Sequence, residues 1–225
     1  MLLVASLSQS LKPTVFSYTP KTAVMMSAKL SGRSAPPNSP SVLIPVANGS
    51  EEIETVTIAD ILVRCGAKVT LASVNSHSLQ VSCSRGVNLV ADAYIGDCAG
   101  QSWDMIVCPG GDAGAQRLRD CSTLRAMLEK QNEKKKFIGA ICAAPAVVLC
   151  HNGLISDRKL TCYPSEKFTA ILGSHYCPER TVVDGHVITS QGPGTAMEFA
   201  LQLVEQLTNT ATAERVKNEL VANYS

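Results

Sequence analysis

No stretch of this 225-residue chain approaches the uninterrupted apolar length, roughly 18–20 residues, that a membrane-spanning helix needs. No membrane partner is expected on that ground. A charge excess is also missing: 20 Lys and Arg face 19 Asp and Glu, for a formal net charge of +1. Without a basic stripe there is no electrostatic case for specific nucleic-acid binding. None of the nine cysteines falls in a C-x-x-C pair, and none has zinc-ligand spacing with the four histidines, so no metal site is predicted. An odd cysteine count suits a secreted disulfide framework poorly. Free thiols in a reducing compartment fit better, most of them as small buried hydrophobes. The G-x-G-x-x-G phosphate loop is absent as well, which disfavours a dinucleotide site.

Acid is missing locally. The first 50 residues contain Lys12, Lys21, Lys29 and Arg33 and no Asp or Glu, and they are rich in Ser, Thr and Pro. Such a leader, taken as residues 1–40, reads as a mitochondrial or plastid transit peptide. An untargeted disordered tail in a cytoplasmic protein, or a start at Met25 or Met26, is the alternative. A secretory signal is disfavoured, because "MLLVASLS" has no basic n-region and a short apolar core.

What is present is a regular alternation over residues 41–225. Hydrophobic residues make up 45% of the chain, enough for one sizeable core. "SVLIPV" reads as a strand, "EEIETVTIADILVRCG" has helical spacing of apolar residues, and "AKVTLASV" is a strand again. That βαβ unit implies parallel strands with a right-handed crossover. "LQVSCS" and "GVNLVAD" form a hairpin or a pair of short strands. "WDMIVCPGG" is a strand entering a Gly turn, followed by one helical stretch, "AGAQRLRDCSTLRAMLEKQNEK". "KFIGAI" is a strand, "AAPAVVLCHNG" a short helix, and "TVVDGHVITS" a hairpin turning at Asp184-Gly185. Two helices close the chain. The pattern predicts an α/β fold, a three-layer α/β/α sandwich on a mostly parallel, flavodoxin-like sheet.

Ligands of open α/β sheets gather where strands end and helices begin, and three such junctions carry chemistry. "VANGSEEIET" places Glu51, Glu52 and Glu54 where a phosphate would otherwise dock. Complementing the helix dipole explains Glu51 and Glu52, while Glu54, one turn in, is open. In "CPGGDAG", Gly110 and Gly111 either aim N–H groups at an oxyanion or merely make a tight turn. In "FIGAICAAPAVVLCHNG", Cys142 sits at a strand-to-helix turn that favours a thiolate, with the next N–H free for an oxyanion. Small Ala143 and Ala144 and first-turn Pro145 suit that elbow. Reactive thiol and buried small residue both remain open for Cys142, whereas Cys150 reads as core.

"EEIETV", "CPGGDAGAQ", "AICAAP" and "SQGPGTAMEFAL" together resemble the ThiJ/PfpI superfamily, in its parkinsonism-associated deglycase (DJ-one) branch. The likeness runs from about Val42 to about Leu220. It implies a cofactor-free, metal-free cysteine site in a homodimer, with Cys142 as nucleophile or redox cysteine and Glu54 as its hydrogen-bonding acid. The resemblance further implies an anion pocket from the N–H groups of Gly111 and Ala143, with Arg85 and Pro193 lining it near the dimer interface. Cys83 matches a peripheral cysteine and His151 a buried histidine. Tyr163, in "LTCYPSEK", stands where animal members carry histidine, so no cysteine–histidine–aspartate triad is expected and Tyr163 is left to shape the pocket. The implied activity is cofactor-independent conversion of methylglyoxal or glyoxal, and of glycation adducts on proteins or nucleotides. A redox sensor or oxidation-regulated chaperone using the same cysteine is the alternative. Proteolysis is disfavoured, since Ala143 and Tyr163 remove the nearby imidazoles.

Overall fold

The computed structural model describes residues 38–222 except 152 and 156. The leader expected over residues 1–40 lies outside the described residues but for its last three.

Strand β1 (Ser41–Val46) pairs in parallel with β2 (Lys68–Ser73) on one side and β6 (Met105–Cys108) on the other. Beyond β6 come β7 (Phe137–Ile141) and β9 (Val187–Ser190), both parallel, and then β8 (Thr181–Asp184), antiparallel to β9. At the other edge β5 (Ala93–Tyr94) pairs in parallel with β2, giving the order β5-β2-β1-β6-β7-β9-β8. Among the described residues β3 (Gln80–Ser82) and β4 (Asn88–Val90) stand apart, as the expected pair of short strands, here antiparallel. The sandwich predicted from the alternation is therefore the observed one. Its central strands read as near-continuous apolar runs because helices cover both faces; Val42, Leu43, Ile44, Ile106, Val107, Ile138 and Ala140 are all buried.

One helical layer holds α1 (Glu52–Arg64), α6 (Ala196–Leu207) and α7 (Thr210–Glu219), with α6 packed on both others. The other holds α2 (Ile95–Cys98), α3 (Asp112–Asp120), α4 (Ser122–Glu133), the short helix Pro145–Cys150 and α5 (Glu166–Leu172).

Three local expectations change. The single helix expected after "CPGG" is two, because Cys121 is extended (φ −80°, ψ 103°). Its apolar positions explain the break: α3 buries Ala115 and Leu118, and α4 resumes with Leu124, Met127 and Leu128. A gap of six residues takes one stripe out of phase with the other. The "GVNLVAD" strand stops at Val90, and Ala93–Tyr94 joins the main sheet instead. The β8–β9 turn sits one residue later than expected, at Gly185-His186, since Asp184 pairs with Val187.

Candidate active site

The site lies beyond the carboxyl ends of β1, β6 and β7, where the chain leaves β1 in opposite directions, the switch point of the sheet. Cys142 follows β7 directly and has φ 64°, a left-handed conformation rare for a residue with a side chain. Two backbone bonds hold this strained elbow: Cys142 N–H donates to Ser190 O at 3.0 Å, and Tyr163 N–H donates to Cys142 O at 2.8 Å. The helix after it, Pro145–Cys150, is wound wider than an α-helix, with His151 N–H reaching Ala146 O at 3.1 Å. Such wide turns concentrate at functional sites.

Glu54 comes from the first turn of α1 and is fully buried. Its Oε2 accepts the Gly110 N–H at 2.7 Å, and its Oε1 meets no hydrogen-bonding nitrogen or oxygen among the described residues. The neighbouring group is the Cys142 thiol, which perturbs the carboxyl and is perturbed by it. Burial, with the nearby charge of Glu51, pushes the Glu54 carboxyl up to about 8, against the opposing Gly110 and Cys142 hydrogen bonds. At neutral pH it therefore carries a proton.

Burial also pushes the Cys142 thiol up to about 12, and any charge on Glu54 adds to the rise. The N–H groups of Gly111 and Ala143 reach the sulfur and pull the other way. The elbow alone therefore does not yield the thiolate expected from its place at a helix start. Desolvation outweighs the two amides, and the pair together holds the protons.

The glycines divide their labour. Of the two readings left open for Gly110, an N–H aimed at an oxyanion does not hold, because that N–H is taken by Glu54. Gly110 also has no room for a side chain: a Cβ there would lie 2.5 Å from Cys142 Cβ and 2.9 Å from Glu54 Oε2. Gly111, at φ 80°, turns its own N–H to the sulfur. The Ala143 N–H is the second amide at the sulfur.

The acids before Glu54 also differ in role. Glu51 caps α1, accepting the Glu54 N–H at 2.8 Å. Glu52 does more than complement a dipole: it accepts from Ser84 Oγ at 3.0 Å and from Arg85 N–H at 2.9 Å, clamping the β3–β4 turn onto α1. Within the single chain, Arg85 is an exposed residue of that turn and is not brought to Cys142. Pro193 is partly buried and follows Gly192, on which the Tyr163 ring rests. His151, expected buried, is exposed, and the buried histidine is His186, whose Nε2 lies 2.8 Å from Asn132 Oδ1. Helix α5 was missed in the sequence. It brings Phe168 edge-on to Tyr163, with ring centroids 6.4 Å apart, and the aromatic pair Tyr163/Phe168 was the available signal. No group of three or more His, Cys, Asp or Glu able to hold a metal occurs among the described residues.

The chain resembles the Arabidopsis thaliana protein DJ-1 homolog A, at 46% identity over 171 residues, 75% of this chain and 43% of that one. It thus spans less than half the length of that relative. Glutathione-independent glyoxalase DJR-1.2 of Caenorhabditis elegans is 38% identical over 74% of this chain and 87% of its own. Among solved structures, oxidized DJ-1 of Toxoplasma gondii superposes with a TM-score of 0.80 at 42% identity, covering 83% of this chain and 100% of that one. Residues 40–206, a stretch holding the Glu54–Cys142 pair and both amides at the sulfur, match the DJ-1/PfpI family model, and the chain belongs to that family.

Proposed function

We propose that the protein is a cofactor-independent enzyme converting small α-oxoaldehydes such as methylglyoxal and glyoxal into hydroxy acids. The observation that carries this reading is the buried carboxyl–thiol pair, with two backbone amides at the sulfur. The family relative named a glutathione-independent glyoxalase supports it.

Ionised Glu54 takes the Cys142 proton as the sulfur adds to the aldehyde carbon and passes it to the aldehyde oxygen, forming a hemithioacetal and freeing the carboxylate. The N–H groups of Gly111 and Ala143 stabilise negative charge as it develops. A proton then moves from the aldehyde carbon to the adjacent carbon through an enediol, with Glu54 as carrier. The first carbon becomes a thioester and the second an alcohol. Water hydrolyses the thioester, releasing lactate from methylglyoxal and restoring the thiol, so no outside oxidant or reductant is consumed. Glycation adducts on proteins or nucleotides are the larger substrates of the same chemistry, a homodimer is the proposed assembly, and the acid-free leader is proposed to target an organelle.

The test is lactate formation from methylglyoxal without glutathione. Wild type exceeds Cys142→Ala if the reading is right; equal rates defeat it. Oxidation of Cys142 as a redox signal is the second reading, favoured by a sulfur that keeps 9% residue exposure beside two amides able to hold an oxidised, anionic form.

A further inference from the structure

Cys142 directly follows β7, which lies between β6 and β9 in the sheet. On the β9 side its N–H is bound by Ser190 O, and two residues later comes Gly192. The Tyr163 ring rests there: a Cβ built on Gly192 would sit 3.3 Å from Tyr163 Cδ2. On the β6 side the residue after Gly111 is Asp112, and Lys167 forms an ion pair with it. Residues 163–168 therefore run from the β9 side of Cys142 to the β6 side, pinned at both ends. The Tyr163 end is held a second time, since Tyr163 N–H donates to Cys142 O.

This strap is aromatic. Phe168 is buried and meets Tyr163 at 90°, and the Lys167 ammonium lies 5.1 Å from the Phe168 ring centroid. Tyr163 itself stays 45% exposed, beside a cysteine that is 9% exposed. Its hydroxyl meets no hydrogen-bond partner among the described residues. A side chain held against Gly192 and Phe168, in a residue that is still close to half exposed, is fitted for stacking more than for moving protons.

We propose that Tyr163 is a specificity-determining residue whose exposed ring stacks on the flat substituent of the bound α-oxoaldehyde, favouring aryl glyoxals. This rests on the glyoxalase reading and names its substrate class. For phenylglyoxal, the Cys142 sulfur bonds to the aldehyde carbon and the carbon-bound hydrogen passes as a proton to the neighbouring carbon. That leaves a thioester beside an alcohol, and water releases mandelate and returns the thiol. The phenyl ring, conjugated with its carbonyl, is the planar group that Tyr163 receives.

The experiment measures kcat/KM for phenylglyoxal and methylglyoxal in wild type, Tyr163→Phe, Tyr163→Leu and Tyr163→Ala. Tyr163→Phe keeps the wild-type ratio of the two aldehydes. Tyr163→Leu and Tyr163→Ala lower that ratio by about three- to tenfold, as loss of one aromatic pair implies, with the change carried in KM for phenylglyoxal. A wild-type ratio in Tyr163→Leu and Tyr163→Ala overturns the inference, and so does an equal fall in Tyr163→Phe, which would assign the effect to the hydroxyl. Wild type that uses methylglyoxal but not phenylglyoxal overturns this inference alone. Wild type that uses neither overturns the glyoxalase reading and this inference with it.

Discussion

Gly110 shows how little freedom the site leaves a single residue. Its N–H fixes Glu54, and its missing side chain lets Cys142 and Glu54 meet. Gly110→Ala must push the β6 end away from β7, at about 1–3 kcal/mol of stability by overpacking. The same shift spoils the carboxyl–thiol alignment, so kcat should fall about 10²-fold while the folded spectrum persists. An active Gly110→Ala protein would mean that the close approach does not matter. The Cys142 thiol makes a second case. Although nine thiols are present, mild peroxide is expected to oxidise Cys142 first, because only its sulfur is placed beside the Gly111 and Ala143 amides. Mass spectrometry decides this; equal oxidation at the partly exposed Cys65, Cys121 and Cys177 would contradict it. The residues alone left Cys142 and Glu54 open; it was the family resemblance that grouped them with Gly111 and Ala143, and the chain folds so that these groups lie together. The charge state of the thiol was not legible from sequence, because desolvation depends on packing that no local motif reveals.

At the level of elements, the alternation of apolar strands with amphipathic helices disclosed the sheet and its order of layers. The failures fall where short segments answer to tertiary partners. Ala93–Tyr94 has too few residues to show a period, and it is a strand because β2 offers an open edge. Cys121 breaks a stretch of good helix formers because two stripes must face different neighbours. Glu52 illustrates a tertiary role hidden inside a helical first turn, since its carboxylate ties α1 to the Ser84–Val87 turn. Glu52→Gln replaces an acceptor of these bonds with an amide that must also place two donors. Stability should drop by about 1–3 kcal/mol, and hydrogen exchange should quicken at the Arg85 and Val87 amides. Unchanged exchange at both would show that the turn holds itself.

For the whole molecule, the buried acid sets a pH dependence of stability. Glu54 is raised from 4.5 to about 8 in the folded chain. Between those values the unfolded chain has lost the proton while the folded chain keeps it, so stability falls as pH rises through this window. Above about 8 the full penalty, on the order of 5 kcal/mol, is in place. Glu54→Gln keeps the shape and carries no charge. Its Tm should match wild type near pH 4.5 and exceed it near pH 9; a Tm gap that does not change with pH would refute the buried-acid account.

In the proposed reaction the same carboxyl governs the chemistry, because the thiol needs an ionised neighbour to take its proton. The most direct measurement is the pH profile of kcat/KM for methylglyoxal in wild type and Glu54→Gln. In wild type it should climb about tenfold per pH unit below 8, as a single ionisation requires, and level off above. Glu54→Gln should lose the activity and the profile together. A Glu54→Gln enzyme with wild-type rates and the same rise would contradict the claim that Glu54 and Cys142 act as one proton-sharing pair.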